Sequence, residues 1–97
     1  MGECTVIARV KAKAGKEKEL ERAWLKAAGL SRKEHGCLGY VLHRCASDPA
    51  LFVSVEKWAS AEANDRHMAS AHIQELLRLV PDLLAAPPEI LPFDVLG

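Results

Sequence analysis

One stretch of the chain, EKWASAEANDRHMASAHI from Glu56 to Ile73, holds two of the four histidines and one of the two tryptophans. An imidazole changes charge near neutral pH, which suits it to taking a proton from a phenol or an activated carbon acid. Glu56 and Trp58 are two apart, so on a strand the carboxylate and the indole share a face and can line a cavity. Asn64, His67 and Met68 recur at three and four, which on a helix is again one face. His67 and His72 are thus the candidate bases, with Trp58, Asn64 and Glu56 around a ligand. Each also has a plain structural reading. Trp58 is core material first, Glu56 a capping or subunit-contact carboxylate, His67 a helix-end cap and His72 a first-turn surface residue.

Further candidates lie on neighbouring segments. In CLGYVLHRC (37–45), His43 shares its parity with Val41 and Cys45, and Tyr40 shares the other with Leu38 and Leu42; either set could face a cavity. Phe52 could shape it from the next segment. His35, beside Gly36 at a helix end, suits the dipole there and is read as structural. The spacing speaks against a metal: His67 and His72 are five apart rather than four, and no acidic partner is placed by spacing. Cys4, Cys37 and Cys45 form no CxxC pair, and an odd number argues against a disulfide framework. There is no glycine-rich phosphate loop and no serine nucleophile elbow. The expectation is a site with no metal and no other cofactor.

The elements that must position these residues follow from periodicity. Cys4–Lys13 alternates from Ala8 on and reads as a strand. In Lys16–Gly36, Leu20, Ala23, Trp24, Ala27 and Leu30 fall on one helical face, with Gly36 as a C-terminal cap. Cys37–Cys45 and Leu51–Trp58 read as a hairpin about the Ser47–Ala50 turn, SDPA. Ser60 caps the next helix and Ser70 restarts it, until Pro81 stops it. Glu89–Leu96 closes the chain as a strand that Pro92 confines to an edge or a bulge. The order β-α-β-β-α-β predicts an α+β, ferredoxin-like antiparallel sheet with helices on one face. Leu51, Val53 and Val55 lie on one parity of the third strand and Phe52 and Trp58 on the other. Helices can cover only one face, so a homodimer packed sheet to sheet is expected.

The totals agree with a single domain over residues 1–97: 49% hydrophobic and 27% charged residues with 13 basic against 13 acidic side chains. No basic stripe marks a nucleic-acid binder, and no apolar run is long enough for a membrane span. MGECTVIARV lacks the features of a signal peptide, and Val6 stands where a myristoylation signal needs Ser or Thr. A cytoplasmic protein is expected.

Three segments, VIARVKAKAGKEKELERA, SRKEHGCLGYVLHR and DPALFVSVEKWASAEANDRHMASAHI, together resemble the antibiotic biosynthesis monooxygenase family of dimeric α/β barrels. The likeness runs to about Val80. It implies a ferredoxin-like homodimer with an apolar cavity in each subunit. In some members that cavity oxidises aromatic or hydroquinone substrates with molecular oxygen and no metal, flavin or haem. By position, Trp58 matches a strand tryptophan that lines the cavity, and Asn64, His67 and His72 match polar cavity or helix positions. Ile73 stands where many relatives have an aromatic residue, and Asn64 where they commonly have an apolar one. The expected function is therefore a cofactor-independent monooxygenase or quinol oxidase acting on an aromatic or polyketide-type molecule. The alternative is a non-catalytic, dimeric binding or stress-response protein of the same fold. Two further relatives fit less well. Haem-degrading enzymes need an Asn and a haem-ligating His where this chain has Ala8 and about Leu77. A sugar-phosphate isomerase needs pocket cations, for which only Arg44 and Arg66 offer themselves.

Overall fold

A computed structural model describes residues 2–97; Met1, where the N-terminal reading begins, lies outside the described residues. The chain forms β1 (Cys4–Lys11), α1 (Glu17–Ser31), β2 (Cys37–Cys45), β3 (Asp48–Trp58), α2 (Ala61–Met68), α3 (Ala71–Arg78), α4 (Val80–Leu83) and β4 (Glu89–Asp94). The four strands make one sheet in the order β2-β3-β1-β4, with every neighbouring pair antiparallel. This is the ferredoxin-like α+β fold. The register pairs Val6 with Glu56, Ala8 with Ser54 and Val10 with Phe52, and continues across the hairpin with Tyr40 opposite Glu56. Paired residues share a face, and these are the buried ones. They meet Leu20, Trp24, Ala27 and Ala28 of α1, Ala63 and His67 of α2, Ile73 of α3 and Leu83 of α4 in the core.

Three expectations are corrected. The first helix ends at Ser31, not at Gly36, and residues 32–36 are tight turns. Ser31 closes its own hydroxyl onto the Ala27 carbonyl at 2.8 Å, a local bond that competes with helix continuation. Gly36 is not the helix cap but takes φ +89° in the last turn before β2. The hairpin turn is Ala46–Ser47, so Asp48 and Pro49 already belong to β3. Pro81 does not end the helical region. It sits in the first turn of α4, where its missing N–H costs nothing. The two serine caps form as expected: Ser60 Oγ accepts from the Ala63 amide and Ser70 Oγ from that of Ile73. Pro92 lies on β4, an edge strand. No helix among the described residues is long and apolar enough to cross a membrane.

Candidate functional site

Strand alternation puts Ser54, Glu56 and Trp58 in one buried row. A carboxylate there needs donors, and its neighbours supply them: Ser54 Oγ donates to Glu56 Oε2 at 2.6 Å and Trp58 Nε1 to Oε1 at 3.1 Å. Burial still pushes the Glu56 carboxyl above its ordinary range; the Ser54 and Trp58 donors and the nearby His67 offset this in part.

The Ser60 cap starts α2 in the register that turns Ala63 and, one turn later, His67 inward. The His67 ring packs on Trp58 with centroids 4.4 Å apart and is only 2% exposed. Its Nδ1 lies 2.8 Å from Glu34 Oε2, and its Nε2 lies 3.8 Å from Glu56 Oε1. Glu34 also reaches His72 Nε2 with the same oxygen at 2.8 Å. An ionised carboxylate only accepts, so both nitrogens facing it carry hydrogen. The other ring nitrogen of His67, Nε2, is turned to the Glu56 side. Glu34 arrives at this point because α1 ends early. Its turn is tied down by Arg32 Nε donating to the Tyr40 carbonyl at 2.8 Å and by the Ala59 amide donating to the Gly36 carbonyl at 2.7 Å. Gly36 lies so close to α2 that an added Cβ would stand 2.6 Å from that of Ala63.

A cavity of about 60 Å³ lies between sheet and helices. Its walls are apolar, from Ala8 and Val10 on β1 to Leu76, Leu77 and Val80 on the helices and Ile90 on β4, and its polar groups are Tyr40, Glu56 and His67. Tyr40 accepts a 2.8 Å hydrogen bond from Trp24 Nε1, which leaves its own O–H to donate. Burial, seconded by the Glu56 charge, raises the Tyr40 pKa above the usual phenol range, so this hydroxyl keeps its proton at neutral pH.

The residues singled out from the sequence separate into groups. Tyr40, Glu56 and His67 come together on the cavity. Trp58 is fully buried behind them, against His67 and Glu56, and does not line it. Phe52 is buried on the same face further along β3. Asn64 does not reach the cavity, and its buried Oδ1 has no hydrogen-bond partner among the described residues. His72 stands on the far side of Glu34 and lines a separate groove between α1 and α3. His43 is exposed on the opposite sheet face, its Nδ1 3.2 Å from the Val41 carbonyl. Three contributors escaped the sequence reading: Glu34, Trp24 as the donor to Tyr40, and Ser54. Glu34 stands 33 positions before His67, beyond any spacing rule, and lies past the end of α1 at Ser31.

The domain is thus ferredoxin-like, with an apolar cavity that ends in an imidazole, a carboxylate and a phenol. The chain belongs to the antibiotic biosynthesis monooxygenase family, whose sequence model matches residues 4–79. It is 32% identical to PA3566 of Pseudomonas aeruginosa, with a TM-score of 0.93 covering 100% of this chain and 97% of that one. With Rv0793 of Mycobacterium tuberculosis it shares 26% identity and a TM-score of 0.92 over 98% and 96% of the two chains. An uncharacterized Synechocystis protein is 31% identical over 85 residues, 88% of this chain; the chain spans 58% of that relative's length.

Proposed function

We propose that the protein is a small-molecule oxidase or monooxygenase that deprotonates an aromatic substrate in the cavity and leaves oxygen chemistry to the resulting anion. The observation that carries this is the placement of His67, whose Nδ1 lies 2.8 Å from Glu34 and whose Nε2 faces Glu56 at the polar end of an apolar cavity; on this reading Glu34 holds the Nδ1–H tautomer and Nε2 serves as the base. A base backed by an orienting carboxylate is the arrangement that makes proton transfer efficient. A deprotonated hydroquinone is electron-rich enough to reduce oxygen itself. Two electrons and two protons leave it, giving the quinone and hydrogen peroxide; a monooxygenase outcome places one oxygen atom in the product and the other in water. Tyr40 donates to a substrate oxygen, and the apolar walls exclude water. At about 60 Å³ the cavity is far below the roughly 300–1,000 Å³ of pockets for drug-sized ligands. On this reading a substrate of one or two rings requires the side chains of the helices to part. Ala8 and Leu77 both line the cavity without offering a haem ligand. Neither Arg44, paired on the surface with Glu21, nor Arg66 lines it, which disfavours a phosphorylated substrate. The working unit of this reading is a homodimer joined through the open sheet face, in the cytoplasm.

The test is oxygen uptake by the chelator-treated protein with a panel of naphthohydroquinones. Turnover above buffer that falls roughly 10²–10⁴-fold in His67→Ala supports the reading. Equal rates for wild type, His67→Ala and buffer across the panel favour instead a non-catalytic binding protein, which would still bind the corresponding quinones.

A further inference from the structure

We propose that Glu34, His67 and His72 form a site for one divalent transition-metal ion of the zinc, cobalt or iron(II) type. The three side chains come from three separate segments, the turn after α1, α2 and α3, and their donor atoms converge to within 4.8 Å of one another. Glu34 Oε2 is 2.8 Å from His67 Nδ1 and 2.8 Å from His72 Nε2. Metal–ligand bonds of about 2.0–2.2 Å place neighbouring ligands at right angles roughly 3 Å apart. An ion taking up the lone pairs that replace the two N–H hydrogens stands close to where Oε2 now lies, so the Glu34 carboxylate turns aside to ligate it while the two imidazoles keep their directions. Two imidazoles and one carboxylate favour borderline transition metals over magnesium or calcium, which seek all-oxygen shells.

The surroundings fit this independently of the three ligands. A ligating histidine nearly always gives its other N–H to a carboxylate or carbonyl. Once Nδ1 of His67 is on a metal, the proton moves to Nε2, which already faces Glu56 Oε1 at 3.8 Å. Glu56 is itself held by Ser54 and Trp58. A route from solvent exists as well: Glu34 and His72 are 16% and 18% exposed, against 2% for His67. The ion thus sits behind the cavity wall, on the opposite ring nitrogen from the one facing Glu56. Metal binding and the service of His67 as a base exclude each other, because the metal-bound ring shows the cavity an N–H.

This inference goes beyond the proposed oxidation and needs no turnover. The experiment is titration of the chelator-treated full chain with Co²⁺ alone, read by visible d–d absorption, and with Zn²⁺ alone, read by calorimetry and the shift in Tm. The expected result is one ion per chain and a raised Tm. Glu34→Gln and His72→Ala alter side chains at the edge of the cluster, so folding is retained and is verified by circular dichroism. Each is expected to weaken binding by at least the roughly 10–100-fold that loss of an outer partner costs. His43→Ala, on the other sheet face, leaves binding unchanged. Absence of stoichiometric binding, binding indifferent to both Glu34→Gln and His72→Ala, or loss in His43→Ala each overturns the proposal.

Discussion

The same four strands offer two faces, and the two were finished differently. On the inner face Val6, Tyr40, Phe52, Ser54, Glu56 and Trp58 are all buried under the chain's own helices. On the outer face Val41, Leu91 and Phe93 stand 51%, 52% and 46% exposed. Hydrophobicity and ionisable groups are common to both; what distinguishes the inner face is that its ionisable groups, Glu56 and His67, are buried, whereas Arg9, Lys11 and Lys57 of the outer face are exposed. Glu56 and His67 are tolerable there because each has partners within the chain. The outer face sets the exposed apolar side chains of Val41, Leu91 and Phe93 among exposed charges such as the Arg9–Glu89 pair.

The largest contrast comes from truncating Trp58. Trp58→Ala removes a fully buried indole and the donor to Glu56, and is expected to cost about 3–5 kcal/mol. At roughly 4–8 °C per kcal/mol for a domain of this size, thermal denaturation reads this directly. A fall no larger than that of Phe93→Ala would erase the distinction between the faces.

Next comes Gly36, where the inner face and the site meet. Gly36→Ala forces a side chain onto φ +89° and against the Ala63 Cβ. Left-handed strain alone is worth about 1–3 kcal/mol, and the contact adds to it. Combining it with Ala63→Gly should recover the contact portion and leave the strain, a difference that chemical denaturation resolves. Full recovery would mean that the backbone conformation carries no cost.

Tyr40→Phe is milder. It keeps the ring and strands the buried Trp24 N–H without its acceptor, at about 1–3 kcal/mol. If the melting temperature stays unchanged, the Trp24–Tyr40 bond does not hold α1 to the sheet.

What could be read from the sequence follows from which interactions are local. Alternation in 51–58 and the three- and four-residue spacing of 20–30 are local, and they yielded the strands, the helix face and the sheet topology. The serine caps at 60 and 70 act over three residues and were legible for the same reason. The site was only half legible. Glu56 and Trp58 share a strand and His67 a capped helix, but Glu34 joins them through a turn whose position depends on where α1 stops. Gly29 and Ser31 weaken that helix end, and helical periodicity cannot register how far the weakening reaches. His72 shows the same limit: by sequence it is a candidate base or a first-turn surface residue, and its contact with Glu34, 38 positions away, and its place on the groove between α1 and α3 are not local features.

The smallest effect on the subunit's own fold belongs to the outer face, and it sharpens the comparison most. Leu91→Asp places a charge on a half-exposed edge-strand position that no inner residue touches through the sheet. For an isolated subunit such a surface change stays within about 0.5 kcal/mol. In a sheet-to-sheet dimer the same charge is buried against apolar groups, with nothing to pair it, and association is lost. Sedimentation at micromolar concentration should then show wild type as a dimer and Leu91→Asp as a folded monomer. The Tm of wild type should rise with protein concentration while that of Leu91→Asp does not, because only a dimer couples its stability to mass action. A monomeric wild type, or a Tm indifferent to concentration in both, would mean that this apolar face is left open in solution and that the cavity functions in a single chain.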